Sequence, residues 1–339
     1  MPEERGITEA SGGVATLTRK DFTSDQEVRW CPGCGDYAVL AAVQTVMPDL
    51  GIPREKIVFV SGIGCSSRFP YYMNTYGLHG IHGRAPAIAT GVATARPDLH
   101  VWVVTGDGDG LSIGGNHLIH ALRRNVNLKI LLFNNQIYGL TKGQYSPTSE
   151  RGKVTKSTPF GSLEQPFNPI SLALGSEATF VARTMDVERK HLPEVLHRMA
   201  AHRGSAFVEI YQNCNIFNDG AFAALTSKDG GRSNRIYLRH GEPVRFGADK
   251  EKGVRMRTDG RLEIVDVAEV GEEKVLVWDE TREDPGLAFA MSRIAEGPTQ
   301  PTPLGIFRDV ERPVYGDAME HQLRTAAEQQ GPGDVERML

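Results

Sequence analysis

Short apolar runs without polar alternation recur along much of this chain, and segments with helical periodicity separate them. The apolar runs predict strands at residues 56–61, 100–105, 129–133, 179–183 and 206–211. The segments between them predict helices at residues 37–47, 85–95, 116–124 and 191–202. Strands that are apolar on both sides are typical of a parallel sheet covered by helices on both faces. We therefore expect an α/β fold with a mostly parallel sheet.

The pattern changes at both ends of this α/β region. Residues 1–24 are rich in Gly, Ser, Thr and charge, and predict an N-terminal arm before a domain at 25–228. We expect residues 229–339 to form a C-terminal extension that packs on the core or on a partner subunit. Its predicted elements are a hairpin at 255–266 around an Asp-Gly turn, a strand at 274–279 and a helix at 286–294.

Composition excludes several classes of protein. The 339 residues carry a net charge of −4 without a basic block, so we expect no nucleic-acid partner. No run approaches the roughly 20 apolar residues of a membrane span. The polar N-terminus lacks the features of a signal peptide, so a cytoplasmic, reducing compartment is expected. In such a compartment, clustered cysteines indicate metal or redox chemistry more often than disulfides.

Chemically active side chains follow several of the predicted strands. Cys65, Asp107, Asn135 and Cys214 each come just after one. Ligands of parallel α/β sheets bind beyond the carboxyl ends of the strands, at one edge. The shared placement of these residues predicts a single site at that edge.

The chain has four cysteines, Cys31, Cys34, Cys65 and Cys214, which is the number that one [4Fe–4S] cluster takes. Zinc is an alternative, because a C-x-x-C pair serves both metals, although the other two cysteines are far from the pair in sequence. In a second alternative, Cys65 and Cys214 are inert, buried residues. If the cluster is present, no cysteine remains for another, so the electron acceptor is expected to be a separate carrier.

A second motif predicts a site for Mg²⁺ and a diphosphate. Asp107 lies between two glycines after a strand, and Asn135 ends the next strand. Mg²⁺ prefers hard oxygen ligands completed by phosphates, so we expect Asp107, Asn135 and the carbonyl of Ile137 to hold it. An ordinary strand-to-helix turn is the alternative for the Gly-Asp-Gly motif alone. A dinucleotide site is not expected, because no G-x-G-x-x-G opens the first βαβ unit.

The Gly-Asp-Gly and Asn-Asn pair resembles the diphosphate-binding half of thiamine-diphosphate enzymes. With the cysteines, the chain resembles the β subunit of a 2-oxoacid:ferredoxin oxidoreductase, in particular the two-subunit 2-oxoglutarate type. The resemblance rests on CPGCGD at 31–36, GIGCSSR at 62–68, HGR at 82–84, GDGDGLSIGGNH at 106–117 and NNQIYGLTKGQYSPT at 134–148. It implies a thiamine-diphosphate-binding fold that carries thiamine diphosphate, Mg²⁺ and one [4Fe–4S] cluster. The implied reaction converts 2-oxoglutarate and CoA to succinyl-CoA and CO₂, reversibly, with ferredoxin as electron acceptor.

The resemblance also implies roles for individual residues. The four cysteines would bind the cluster, and Cys65 also lies in the loop expected to touch thiamine, so cluster and cofactor are expected to be close. The implied thiamine contacts are Ile63, Gly64, Cys65, Ser66, Gly108, Asp109, Gly139 and Leu140, with Leu140 also counted as catalytic. His82 is a further cofactor candidate, with an ordinary loop histidine as the alternative. Arg68 is expected to bind the distal carboxylate of a dicarboxylic 2-oxoacid, with a surface salt bridge as the alternative.

A thiamine enzyme also needs a pyrimidine-side domain, and residues 25–228 supply only one domain of that size. The resemblance therefore implies an α subunit that contributes the pyrimidine-side domain, the activating Glu and the CoA contacts, in an αβ or (αβ)₂ assembly. Three rivals remain open at this point. They are the same chemistry on pyruvate, branched-chain oxoacids or indolepyruvate, a non-redox thiamine lyase or decarboxylase, and a zinc-stabilised binding subunit with a degenerate thiamine site.

Overall fold

A computed structural model describes residues 17–228, 230–294, 300–331, 333–334 and 336. The expected arm falls largely outside the described residues; within it, Arg19–Phe22 form a 3₁₀ turn that buries Phe22. The strands are β1 (Ile57–Ser61), β2 (Tyr76–His79), β3 (His100–Gly106), β4 (Leu128–Asn134), β5 (Phe180–Met185), β6 (Ser205–Tyr211), β7 (Arg235–Leu238), β8 (Arg245–Phe246), β9 (Lys252–Met256), β10 (Leu262–Asp266) and β11 (Thr302–Asp309).

The helices vary from single turns to one of four turns. They are α1 (Asp36–Val46), α2 (Phe69–Tyr72), α3 (Ala85–Ala95), α4 (Asp107–Leu111), α5 (Gly115–Arg123), α6 (Pro169–Gly175), α7 (His191–Ala201), α8 (Ala223–Thr226), α9 (Val267–Val270), α10 (Gly286–Ser292) and α11 (Tyr315–Gln330). None of them is both long and apolar enough to span a membrane, as far as the described part of the chain extends.

The described strands form an eight-stranded sheet in the order β2-β1-β3-β4-β6-β5-β11-β7, and a separate three-stranded sheet, β10-β9-β8. The first six strands of the large sheet run parallel, which places their carboxyl ends at one edge. Strand β11 runs antiparallel to β5 and parallel to β7, so these two strands reverse the direction of the sheet at one side.

Burial on both faces explains the unalternated strands. In β1, Val58 and Val60 belong to the core beneath α3, α5 and α6. Ile57 and Phe59, which point the other way, belong to the core beneath α1 and α7. Successive strand residues point to opposite faces, so a sheet buried on both sides needs apolar residues at every position.

The expected α/β fold is confirmed, and α3 has the predicted bounds. The predicted Gly/Asp loop after β3 is instead the short helix α4, whose first turn holds Asp107 and Asp109. Acidic side chains stabilise the first turn of a helix, which accounts for the difference. The predicted hairpin is confirmed as β9 and β10.

The predicted strand at 274–279 is wrong. Its first residue, Lys274, ends a 3₁₀ turn at Glu272–Lys274. The rest of the segment forms an isolated bridge between Pro243 and Val277 and separate backbone hydrogen bonds, without becoming a regular strand. Its Trp278 is buried and donates its indole N–H to the carbonyl of Ile306, 2.8 Å away. The boundary at residue 229 stays a prediction, although β7 and β11 from beyond it belong to the large sheet.

Candidate active site

The parallel strands bring the expected residues to one edge of the sheet. The loop at 62–68 follows β1, Asp107 follows β3, Asn135 follows β4 and Cys214 lies three residues beyond β6. Backbone pairing continues past the strand ends, since the N–H of Gln212 donates to the carbonyl of Asn134, 2.9 Å away. The amide of Asn135 also donates to the Gln212 side chain, at 3.0 Å. The edge is therefore a connected surface.

The four cysteines line one pocket of about 200 Å³ at this edge. Cys31 is exposed, and the other three are half-buried. Gly139 borders the space between two of the sulfurs, because a Cβ there would lie 3.5 Å from Sγ of Cys214 and 3.6 Å from Sγ of Cys65. Among the described residues, no three His, Cys, Asp or Glu side chains gather closely enough to hold a metal ion. The four cysteines thus share one pocket at the sheet edge.

The pocket is electrostatically unfavourable for bare thiolates. Burial, followed by the nearby Asp36 carboxyl, raises the pKa of Cys65 to about 12 and also raises the pKa of Cys34. Burial likewise raises the pKa of Asp36 itself to about 7. Four ionised sulfurs in this space would need positive charge among them, so the pocket suits a bound metal centre.

The loop that carries Cys65 is held from several directions. The indole N–H of Trp30 donates to the carbonyl of Cys65, 2.6 Å away, and its ring packs edge-on against Tyr72. Arg68 donates from Nη1 to the carbonyl of Arg29, at 2.7 Å, and both arginines line the cysteine pocket. The loop is therefore fixed by backbone contacts with the segment that precedes Cys31.

Asp107 is almost fully buried, and burial raises its pKa to about 6. Its Oδ2 accepts hydrogen bonds from the hydroxyls of Ser146 at 2.5 Å and Thr148 at 2.6 Å. The Thr148 hydroxyl lies 2.9 Å from Oδ1 of Asn134, so it bridges the carboxylate and this amide. Asp107 is thus oriented by the polar loop that follows β4.

The two other expected magnesium ligands are also at this edge, with different partners. Oδ1 of Asn135 accepts from the backbone N–H of Ile137, at 3.1 Å. The asparagine that Thr148 links to Asp107 is Asn134, whose amide donates to the buried Glu209 at 2.7 Å. In the structure, Asp107 is therefore linked through Thr148 to Asn134 rather than to Asn135. A magnesium ligand set that includes Asn135 and the Ile137 carbonyl stays a prediction.

Asp109 uses both of its carboxylate oxygens within the protein. Oδ1 accepts from Nδ1 of His82 at 2.5 Å, from the N–H of Gly83 at 2.7 Å and from the N–H of Ile63 at 3.1 Å. Oδ2 accepts from the hydroxyl of Thr105 at 2.7 Å. The carboxylate joins the loop after β1, the turn before α3 and the end of β3.

The remaining expected thiamine contacts surround this carboxylate and the cysteine pocket. Gly108 lies against the ring of Tyr138, where a Cβ would come within 2.2 Å of the ring, and its carbonyl accepts from the Tyr138 hydroxyl at 3.0 Å. Leu140 is exposed beside the cysteines. Gly64 has a positive φ of 125° and leaves open space where a side chain would stand. These residues are assembled at one edge, and their contact with a cofactor stays a prediction.

Several site residues lie outside the expected set. Ser146 and Thr148 bind the predicted Asp107, Trp30 binds the carbonyl of the predicted Cys65, and Asn134 joins the network through Thr148. The hydroxyls of Ser146 and Thr148 are far from Asp107 in sequence, and no spacing rule connects them. Their only signal is the stretch NNQIYGLTKGQYSPT, which contains both residues and the Asn pair.

Comparisons with known proteins agree with this assembly. Residues 62–210 match the family described as thiamine pyrophosphate enzyme, C-terminal TPP binding domain. The 2-oxoglutarate oxidoreductase subunit KorB of Mycobacterium tuberculosis is 60% identical over 95% of this chain and 88% of its own length. A 2-oxoacid:ferredoxin oxidoreductase subunit beta of Aeropyrum pernix is 47% identical over 69% of this chain and 70% of its own.

A solved structure supports the same relationship. It is the 2-oxoglutarate:ferredoxin oxidoreductase from Magnetococcus marinus with 2-oxoglutarate, coenzyme A and succinyl-CoA bound. The TM-score is 0.74 at 33% identity, with 96% of this chain and 95% of that chain covered. With near-complete overlap in both sequence and structure, the chain belongs to the family of 2-oxoacid:ferredoxin oxidoreductase β subunits.

Proposed function

We propose that this chain is the β subunit of a 2-oxoglutarate:ferredoxin oxidoreductase. The enzyme would decarboxylate 2-oxoglutarate oxidatively with CoA to succinyl-CoA and CO₂, reversibly, and pass the electrons to ferredoxin. The observation that carries the proposal is the 60% identity, over 95% of the chain, to a 2-oxoglutarate oxidoreductase subunit. Thiamine diphosphate, when bound, supplies the carbanion chemistry at the carbonyl carbon of the 2-oxoacid.

The cysteine pocket supports a [4Fe–4S] cluster held by Cys31, Cys34, Cys65 and Cys214. All four cysteines line one pocket at the sheet edge. A cluster presents four irons, each of which takes one thiolate, whereas zinc draws its ligands around one centre. The four cysteines around one pocket match the four thiolates that such a cluster takes, and this shared lining disfavours the alternative in which Cys65 and Cys214 are inert.

The buried Asp107 supports a cation at the diphosphate end. Its carboxylate is buried and accepts hydrogen bonds from two hydroxyls, so a nearby divalent cation would stabilise its charged form. Asn135 and the Ile137 carbonyl would complete the protein ligands if the Asn135 oxygen leaves the N–H of Ile137. Asp107 would then orient the ion, and the backbone near Gly108 would approach the phosphates.

The partners of the chain follow from its family. We propose an α subunit that supplies the pyrimidine-side domain, the activating Glu and the CoA contacts, in an αβ or (αβ)₂ assembly. Cys31 is the exposed cysteine of the pocket, which suits electron transfer to a separate ferredoxin. Free, clustered cysteines are kept reduced in the cytoplasm, where we expect the enzyme to work.

The decisive experiment is EPR spectroscopy of the anaerobically purified complex of this chain with its α subunit. Spectra are recorded before and after 2-oxoglutarate with CoA is added, with pyruvate as the matched substrate control. We expect a reduced [4Fe–4S] signal that appears with 2-oxoglutarate and far more weakly with pyruvate. The Cys31→Ser and Cys214→Ser variants should lose the signal, because each removes one iron ligand.

Other results would change the proposal in defined ways. An equal or stronger signal with pyruvate would keep the reaction type and replace the substrate. A complex without iron that still decarboxylates 2-oxoacids would indicate a non-redox thiamine enzyme. A complex that contains zinc and binds no thiamine diphosphate would indicate a binding subunit.

A further inference from the structure

Gln212 lies between the two chemical parts of the sheet edge. It follows β6 directly and lines the cysteine pocket, yet it is only 1% exposed. Its amide nitrogen, Nε2, donates to Sγ of Cys34 at 3.3 Å, and its amide oxygen, Oε1, accepts from Nδ2 of Asn135 at 3.0 Å. One buried side chain therefore contacts both an expected cluster ligand and an expected magnesium ligand.

The surrounding groups determine which way this amide points. Nε2 also lies 2.6 Å from the carbonyl oxygen of Asn213, which can only accept a hydrogen bond, so the nitrogen must face it. Oδ1 of Asn135 accepts from the N–H of Ile137, at 3.1 Å, so Nδ2 is the atom that Asn135 turns toward Gln212. Both N–H groups of Nε2 are then used, one on Asn213 and the other on Cys34.

The hydrogen bond to Cys34 matters because reduction adds negative charge to an iron–sulfur cluster and to the sulfurs that hold it. An N–H donor stabilises that charge, and hydrogen bonds to the sulfurs are among the factors that set the reduction potential of a cluster. Burial, followed by the nearby Asp36 carboxyl, raises the pKa of the Cys34 thiol, so the other surroundings of this sulfur disfavour negative charge. Nε2 of Gln212 therefore acts where a donor has a strong effect.

We propose that Gln212 is a positioning residue that raises the reduction potential of the [4Fe–4S] cluster through its hydrogen bond to Cys34, while its amide oxygen holds Asn135 with Oδ1 available to a cation. The inference rests on the proposed function, since it requires a cluster in the cysteine pocket and a cation beside Asp107. It adds that one amide supports both sites.

Two substitutions separate the two ends of this amide. Gln212→Met is similar in length and loses both the donor and the acceptor, whereas Gln212→Glu keeps an oxygen for Asn135 and has no N–H for Cys34. We expect Gln212→Met to lower the ratio of reduced to oxidised cluster at a fixed potential by about threefold to tenfold, the range of one hydrogen bond. At about 59 mV per tenfold for one electron, the potential becomes more negative by about 30 to 60 mV. Gln212→Glu should lower the ratio at least as much, because a carboxylate adds negative charge near the sulfur.

The first measurement is an EPR-monitored redox titration of the anaerobically purified αβ complex. The second is the Kd of Mg²⁺ for the metal-stripped complex with thiamine diphosphate present, by calorimetric titration. Gln212→Met should weaken Mg²⁺ binding by about threefold to tenfold, because Asn135 loses the group that orients its amide. Gln212→Glu should weaken it by no more than about twofold, because its oxygen still accepts from Nδ2 of Asn135.

The matched control is Gln44→Met. Gln44 is also buried, at 3% exposed, and its amide donates to the carbonyl of Tyr72 at 3.0 Å instead of to a cysteine sulfur. Both measurements on this variant should match the unmodified complex. Melting temperatures check that every variant is folded, and Gln212→Glu alone still tests the effect on the potential if Gln212→Met does not fold.

Several results would overturn the inference. An unchanged cluster ratio in a folded Gln212 variant, or an equal change in Gln44→Met, would refute the effect on the potential. Equal losses of Mg²⁺ affinity in the two Gln212 variants, or no loss in Gln212→Met, would refute the role toward Asn135. An unmodified complex without a cluster would refute the proposed cluster and this inference with it. A complex that reduces ferredoxin with 2-oxoglutarate, but keeps the same cluster ratio in Gln212→Met, would support the function and refute the role of Gln212.

Discussion

At the scale of single residues, Arg68 is the side chain of the cysteine pocket that we expect to select the substrate. Its guanidinium lines the pocket and is held by the Arg29 carbonyl at 2.7 Å, which leaves its other N–H groups for a partner. A guanidinium with free N–H groups binds a carboxylate through paired hydrogen bonds. The second carboxylate of 2-oxoglutarate, which pyruvate lacks, is the group that Arg68 would recognise.

We predict that Arg68→Met lowers kcat/KM for 2-oxoglutarate about 10- to 100-fold, as loss of a charged hydrogen bond implies. The rate with pyruvate should change little, because that substrate has no second carboxylate. Arg29→Met is the matched control, since Arg29 lines the same pocket and its side chain is paired with Glu27 at 2.9 Å. Steady-state measurement of kcat/KM on both substrates tests this prediction. If Arg68→Met lowers kcat/KM equally for 2-oxoglutarate and pyruvate, Arg68 does not select between the two substrates.

The sequence motifs identified the residues with acidic or thiol side chains at the site. They did not identify the residues that hydrogen-bond to them. Cys65, Asp107, Asn135 and Cys214 stand at the sheet edge, as their positions after strands predicted. The hydroxyl of Thr148 could not be found in this way, because its contact with Asp107 spans 41 positions and depends on the path of an irregular loop. The same holds for the link from Trp30 to Cys65, which joins two separate loops.

At the scale of elements, the unexpected feature is β11, which enters the sheet antiparallel beside β5. Apolar runs predicted the six parallel strands well, apart from the exposed edge strand β2. Strand β11 lacks a continuous apolar run, since it contains Pro303, Gly305 and the buried Arg308. Its pairing with a strand more than 100 residues earlier is a long-range contact that no local pattern contains.

Gly305 is needed where β11 passes between β5 and β7. Its φ is +121°, and a Cβ there would lie 2.6 Å from the carbonyl of Leu238. We predict that Gly305→Ala destabilises the protein by about 1–3 kcal/mol, from backbone strain and steric conflict. Gly91→Ala is the matched control, because Gly91 lies within α3 and a Cβ there would have nothing within 4 Å. That change should be neutral or stabilising by up to about 1 kcal/mol.

Thermal melting of the purified complex compares the two glycine variants directly. Gly305→Ala should melt at a lower temperature than the unmodified complex, and Gly91→Ala at an equal or higher one. Equal melting temperatures for the two variants would mean that the sheet adapts to a side chain at Gly305 without cost.

At the scale of the whole molecule, one edge of one sheet carries every expected group. The cysteine pocket, Asp107 and the His82 turn lie there together, and Asp109 and the Cys65 loop connect them. The matched thiamine-binding family covers residues 62–210, which span this edge from β1 to β6. Within the proposed function, this chain supplies the diphosphate and electron-transfer side of the site, and the α subunit supplies the rest.

We predict that the chain purified alone does not turn over 2-oxoglutarate, and that addition of its α subunit restores activity. The reason is that the activating Glu and the pyrimidine-side surface are expected on the partner. Ferredoxin reduction, followed optically under anaerobic conditions, measures the activity of the chain alone, the α subunit alone and the two combined. An active assembly of this chain without any α subunit would contradict the prediction that the α subunit supplies the activating Glu and the pyrimidine-side surface.

The hydrogen bond from Trp30 to the carbonyl of Cys65 ties a fluorescent side chain to the Cys65 loop. The chain has three tryptophans, and Trp102 and Trp278 lie fully inside the two opposite cores. Trp30 alone of the three lines the cysteine pocket and hydrogen-bonds to the carbonyl of a cysteine there. Its fluorescence is therefore a built-in reporter of this loop, which can follow assembly of the pocket in real time without an added label.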